Sequence, residues 1–307
     1  MKTKVTFLLV MILSLLLLGC NQKTKSTKKN VFAKDNLCAW CLVPYDSLNR
    51  NPEQRAQMMK ELGITKFAYD WRAKHLPYLA DEIKTLRKHN IQLHSVWFWT
   101  DGSGPTLLNQ YNETILKTLK EEGVKTDLWI AFPEQFFMGI SDDEKLKKGV
   151  KAITEIHQRA QEIGCKISLF NHGGWYGDPE NQIKIIKATG LNDIGIVYNF
   201  LRGTHDKDKF KILLNEMMPY LTLINLDGLR GDGPSSWTGI EVFGPPYILD
   251  IGAGDREQEM IKIIYESDYQ GPIGIIGHTF HEDVKVVIQR NLIGLNRVLD
   301  SLKIPRQ

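Results

Sequence analysis

From residue 37 onward, strand-length apolar runs alternate with longer amphipathic segments eight times, and that alternation leaves few architectures open. The runs predict strands over Leu37–Val43, Lys66–Trp71, Gln92–Trp99, Asp127–Phe132, Lys166–His172, Ile194–Phe200, Leu221–Leu229 and Pro272–His278. Helical patterns between them include Pro52–Leu62, Pro77–His89, Asp142–Ile163, Pro179–Ala188, Asp206–Met218, Arg256–Glu266 and Asp283–Leu302. Pro52, Pro77 and Pro179 sit near helix starts, where a missing amide hydrogen costs little. Gly63, Gly123, Gly164 and Gly190 follow helix ends, where a left-handed cap favours glycine. Eight strand–helix units with no second domain predict an α/β fold: a single (β/α)8 TIM barrel of parallel strands ringed by helices, spanning residues 35–307. An open doubly wound sheet is the alternative, and the early glycine-rich phosphate fingerprint it would carry is missing.

The first 34 residues read differently. Lys2 and Lys4 precede an apolar run from Phe7 to Leu18, too short for a comfortable membrane span and typical of an export signal. Leu17-Leu18-Gly19-Cys20 resembles the bacterial lipobox, which implies cleavage after residue 19 and lipid on Cys20. Residues 20–34, rich in Lys, Thr and Ser, are then a flexible tether. The expected location is the cell envelope, with the folded part lipid-anchored to a bacterial membrane and facing the periplasm or exterior. Residues 1–34 hold seven lysines and no acid, and removing them from the 39 basic residues leaves 32 against 36 acidic ones. A mildly acidic folded part argues against a nucleic-acid groove, while tether lysines suit an anionic leaflet. Cys38-Ala39-Trp40-Cys41 has redox-motif spacing but lies in a strand-like run, which favours two buried core cysteines.

Polar residues close several of the strands. Asn171-His172-Gly173-Gly174-Trp175 ends the fifth, and Tyr198-Asn199, Asn225-Leu226-Asp227 and Gly277-His278 end later ones. In a barrel all carboxyl ends share one face, so these side chains are expected to converge on one pocket. The stretch from Gly231 to Gly254, with Trp237, is a candidate lid or substrate wall on that face.

The chain resembles the xylose isomerase-like barrels of sugar isomerases and epimerases, which also include the endonuclease four type. The resemblance is carried by Ile64-Thr65-Lys66-Phe67, Phe170-Asn171-His172, Gly195-Ile196-Val197-Tyr198-Asn199, Ile251-Gly252-Ala253-Gly254-Asp255 and Tyr269-Gln270-Gly271-Pro272-Ile273. Members of that family hold a divalent metal with Glu, Asp, His and Glu from strands five to eight. The matching positions here are Phe170, Asn199, Asn225 and Ile276, so the resemblance implies a barrel whose metal ligands have been replaced. His205 resembles the family's histidine after strand six, at a longer spacing.

Strand parity offers a substitute set. His172, Asp227 and His278 each lie two residues beyond a replaced position, hence on the inward side and about 6.6 Å higher. Three roles are open for the trio: holding a divalent metal, exchanging protons with a substrate, or capping strand ends. Glu134 and Asp227 end strands four and seven, an arrangement that resembles barrel glycosidases and keeps hydrolysis open. Trp71, Trp97, Trp99, Trp175, Tyr176 and Trp237 crowd the expected top face, and apolar sugar faces stack on such rings. Trp175 and Trp237 are the preferred stacking candidates, because Trp97 and Trp99 serve equally well as packing. Asn171, Asn199 and Asn225 are expected to orient hydroxyls, and Arg230 to meet an anionic group. Asp70 and His94 lie on early strands, and Arg202 follows strand six. The reading is a lipid-anchored sugar isomerase- or epimerase-like protein with His172, His278 and Asp227 or Glu134 as acid–base groups. A non-catalytic glycan-binding lipoprotein is the second reading.

Overall fold

A computed structural model describes residues 30–104, 106–200, 207–229, 249–279 and 281–305. The expected lipid-bearing Cys20, the signal over residues 1–19, and Arg202, His205, Arg230 and Trp237 lie outside the described residues.

Eight parallel strands close into a barrel in sequence order: β1 (Leu37–Trp40), β2 (Lys66–Tyr69), β3 (Gln92–Trp99), β4 (Asp127–Ala131), β5 (Lys166–Phe170), β6 (Ile194–Asn199), β7 (Leu221–Leu226) and β8 (Ile273–Ile276). Closure runs from Leu37 opposite Ile273 to Trp40 opposite Ile276. The outer ring is α1 (Pro52–Leu62), α2 (Leu79–Lys88), α3 (Gln110–Glu121), α4 (Asp142–Gln161), the short α5 (Gly174–Gly177), α6 (Pro179–Thr189), α7 (Lys207–Met217), α8 (Glu257–Glu266) and α9 (Val284–Ser301). The open-sheet alternative is thereby excluded.

The strands form because their apolar runs serve two surfaces at once. Cys38, Trp40, Ala68, Trp129, Phe170, Val197, Leu223 and Ile276 fill the barrel. Residues of the other parity, such as Phe67, Phe98, Ile130, Leu169, Tyr198 and Ile224, pack under the helices. A strand buried on both faces needs no polar alternation, which is why the runs look continuous in sequence. Helix ends follow local chemistry: Asn51 and Gln54 form a reciprocal capping box ahead of Pro52, and Gly63 closes α1 at φ 69°.

The tether boundary requires correction. Asn30, Val31, Phe32 and Ala33 are buried, and Asn36 donates to the carbonyls of Val31 and Gly271, both at 2.8 Å. The Asn30 amide also donates to the Pro305 carbonyl, so this segment packs across the amino end of the barrel instead of trailing from it. The folded part therefore includes Asn30, five residues before the expected start at 35. Cys38, Cys41 and Cys165 are all buried free thiols, as expected of core cysteines. No described helix is long and apolar enough to cross a membrane.

Candidate functional site

The carboxyl ends of the strands surround a cavity of about 640 Å³. Its depth is aromatic: the Trp40 ring lies 5.0 Å from Phe170 and 5.4 Å from Trp129, and Trp97 lies 4.9 Å from Phe170. These rings sit at the inward positions of β1, β3, β4 and β5, so the barrel interior closes beneath them.

One wall comes from the ends of β1, β2 and β8. His278 packs edge-on to Tyr45 at 4.1 Å, and the Tyr45 hydroxyl accepts from Arg72 Nη2 at 2.8 Å. Arg72 also donates to the Trp71 carbonyl at 2.7 Å, with its guanidinium 5.4 Å from the Tyr45 ring centre. Cys41 sits at the start of this wall with φ 57°, a left-handed conformation that costs a non-glycine residue about 1–2 kcal/mol. Burial, and then the charges of Asp70 and Asp227, hold its thiol well above the usual range, so it stays protonated.

Asp70, one residue past β2, lines the same wall and is 3% exposed. Neither carboxylate oxygen reaches hydrogen-bonding geometry with a described donor. Burial pushes its pKa up to about 7, against the opposing pull of Arg72 and weak contributions from its own backbone amide and that of Val43.

The facing wall comes from β3, β5 and β6. His172 stands 5.1 Å from Trp99 and 5.4 Å from Trp97, and Asn199 lies beside it on the cavity lining. Asp101, Asn109 and Tyr111 complete the rim. Asp101 accepts from the Ser103 hydroxyl and amide and from Asn109, contacts that lower its pKa and shape the loop before α3.

Of the three side chains that strand parity set inward, His172 and His278 line the cavity and Asp227 does not; Asn199, Phe170 and Ile276 line it as well. Other expected site residues fall elsewhere. Asn171 is buried and clamps two strand ends, donating to the Asn199 carbonyl at 3.1 Å and accepting from the Asn199 amide at 2.8 Å. Asn225 is fully buried inside the barrel, and neither end of its amide has a described hydrogen-bond partner. Asp227 is buried and acts electrostatically on Cys41 without lining the cavity. Glu134 begins a 3-10 turn after β4, beside Gly174, and does not line the cavity either. Trp175 packs 5.5 Å from Phe137 with Lys145 Nζ 6.0 Å above its ring, away from the cavity, because α5 carries it back over α4. Trp97 and Trp99 take the lining role expected of it.

Trp40, Tyr45, Asp70, Arg72 and Tyr111 were not singled out as site residues from the sequence. A signal existed for Asp70: Ala68-Tyr69-Asp70 repeats the pattern of Val197-Tyr198-Asn199, with a small or branched residue inward, a tyrosine outward and a polar group at the mouth. The loop residues carry no such periodic mark.

A closed eight-stranded barrel with a cavity at its carboxyl face defines the (β/α)8 class, whose sites lie at that end. Within it, the fold is that of the xylose isomerase-like sugar isomerases and epimerases. The IOLI protein with a bound zinc atom superposes with a TM-score of 0.64 at 16% identity, over 87% of this chain and 98% of the other. The 3-keto-D-glucoside 4-epimerase from E. coli gives 0.58 at 14% identity, over 87% of this chain and 100% of the other. D-psicose 3-epimerase in the presence of D-fructose gives 0.56 at 14% identity, over 86% and 99%. No protein-family model matches the chain, and no curated protein matches it in sequence. At these identities the likeness establishes the fold and leaves the reaction open.

A divalent metal does not fit the residues described here. Among the described residues no three His, Cys, Asp or Glu side chains stand close enough together to hold an ion. Phe170 and Ile276 offer only hydrocarbon, Asn199 and Asn225 offer no charge, and His172 and His278 contact different walls. Of the three roles open for His172, Asp227 and His278, metal holding finds no assembled ligand group among the described residues.

Proposed function

We propose that this protein is a carbohydrate isomerase- or epimerase-like barrel that moves protons on a sugar without a divalent metal, held at the cell envelope by lipid on Cys20. The observation that carries the reading is the cavity itself: two histidines on different walls of a chamber lined by Trp40, Trp71, Trp97, Trp99, Tyr45 and Tyr111. Indole and phenol faces match the C–H faces of a sugar ring, and Asn199, Asn109 and the imidazoles match its hydroxyls. The barrel relatives that process sugars support the substrate class. His172 and His278 exchange protons with sugar oxygens, and Asn199, held by Asn171, orients a hydroxyl. Arg72 has donors committed to Tyr45 and Trp71, which favours a neutral sugar over a phosphorylated one.

The test is exchange of solvent deuterium into the C–H bonds of D-fructose, D-tagatose and a 3-keto-glucoside, followed by proton NMR. Exchange by the wild type that falls at least about 100-fold in both His172→Ala and His278→Ala supports the reading. Unchanged exchange in both variants removes the histidines from the mechanism.

A second reading, a glycan-binding lipoprotein without turnover, is favoured by the hydrocarbon side chains Phe170 and Ile276 among otherwise polar strand ends. It predicts saturable quenching of tryptophan fluorescence by sugars with no exchange at all. Hydrolysis by Glu134 and Asp227 has no support from the geometry, since neither residue lines the cavity.

A further inference from the structure

We propose that Asp70 is the base that removes the carbon-bound proton from the bound sugar, the role left unfilled by Glu134 and Asp227. The inference rests on the carbohydrate reading above and names the group that the two histidines do not supply.

A carboxylate buried to this degree is normally met by hydrogen bonds or a counter-ion at contact distance. Asp70 lines the cavity wall, its two oxygens meet no described donor at bonding geometry, and Arg72 spends its described hydrogen bonds on Tyr45 and Trp71. Described protein groups therefore leave the carboxylate's acceptor capacity unused within the cavity wall. The surroundings keep its basicity high: Tyr69 and Tyr45 are buried neutral phenols, Cys41 is a buried thiol, and the cations Arg72 and Arg55 act only partly against desolvation. His278 belongs to the same wall through Tyr45. A base with a pKa about 7 is matched to proton transfer at neutral pH.

The step balances within the sugar and these two side chains. Asp70 takes the proton from the carbon next to the carbonyl, the C–H electron pair becomes the new C=C bond, and the carbonyl π pair moves to oxygen. That oxygen takes a proton from protonated His278, giving the enediol. Collapse in the other sense returns the proton from Asp70 to carbon and one from a hydroxyl to His278. No oxidant, reductant or metal enters.

Asp70→Asn keeps the shape of the side chain and removes its basicity. With D-fructose, D-tagatose and a 3-keto-glucoside as probes, two quantities are read on the full protein: deuterium exchange by NMR and binding by tryptophan fluorescence. The expected result is binding within about 5-fold of wild type and exchange reduced at least about 100-fold, with Asp70→Glu recovering part of it. The rising limb of the wild-type pH profile of exchange, which runs up to about 7, disappears in Asp70→Asn. Exchange within about 3-fold of wild type in Asp70→Asn overturns the proposal while leaving the carbohydrate reading intact, because a general base contributes far more than that. Binding without exchange in the wild type overturns it in favour of the glycan-binding reading. Neither binding nor exchange in the wild type overturns the carbohydrate reading and this inference together.

Discussion

Asn171 spends both ends of its amide on the backbone of Asn199, so a residue expected to touch substrate instead fixes the strand end that does. Both partners are buried, and truncation leaves a backbone N–H and C=O unsatisfied. Asn171→Ala is expected to lower unfolding free energy by about 1–3 kcal/mol in urea denaturation and to weaken sugar binding only indirectly. A variant as stable as wild type would show that water replaces the amide. The same scale explains why Asp70 and not Asp227 emerges as the cavity carboxylate: both are buried residues one position past a strand, but only Asp70 lines the open volume. Composition and spacing treat the two alike.

At the scale of elements, the exit of β7 is tied to the start of α8 by one carboxylate. Glu257 Oε1 accepts from the amides of Gly252 and Gly254 at 3.0 and 2.9 Å, and Oε2 accepts from Leu229 at 3.0 Å. Gly252 has φ 82°, a left-handed turn that presents its amide inward, and a Cβ at Gly254 would come within 2.2 Å of the Leu229 carbonyl. The glycine-rich stretch Ile251-Gly252-Ala253-Gly254, read from the sequence as a family mark, is thus an anion nest for an internal carboxylate. Glu257→Ala removes three hydrogen bonds to a charged acceptor and is expected to cost more than about 3 kcal/mol in thermal or chemical unfolding. Little loss in that measurement would mean that the β7–α8 connection is held elsewhere. Helix boundaries were legible in advance because caps are local: Asn51, Ser141 and Asp178 each accept from the first turn they precede. Helix α3 was not, since its Asn109 cap follows a loop of Gly, Ser and Pro that hides where the helix starts.

For the whole molecule, a second acid, partly buried at the amino end of β4, affects stability. Asp127 accepts from Ser168 Oγ at 2.6 Å, yet burial still lifts its pKa up to about 7 from the ordinary 3.8. Between those values the folded protein keeps a proton that the unfolded chain has released. The stabilisation associated with that proton is complete below about pH 4 and is lost as pH rises through about 7. Its size is on the order of 4 kcal/mol. Partly buried carboxylates held low by hydrogen bonds and ion pairs with arginines, such as Glu282 and Asp283, pull total stability the other way with pH. A comparison of variants isolates the buried group: Asp127→Asn should gain stability relative to wild type at pH 8 compared with pH 5. Denaturation curves at both pH values check this, and a gap independent of pH would place a compensating charge beside Asp127.

The architecture was legible in the sequence to a large degree, because apolar runs of strand length, capped helices and their eightfold alternation are set by neighbours a few residues apart. The inward parity of His172 and His278 was legible for the same reason, because side chains alternate along a strand, whereas Asp227, two positions beyond the interior Asn225, does not line the cavity. Three features were decided only when the barrel closed. Trp175 was turned away over α4, Glu134 was set off the cavity, and Asp70 was brought with Tyr45 and His278 onto one wall across the β1–β2 and β1–β8 seams. These depend on the direction of a loop and on contacts between residues up to the length of the chain apart. Desolvation, which gives Asp70 its basicity, exists only once those distant segments have packed around it.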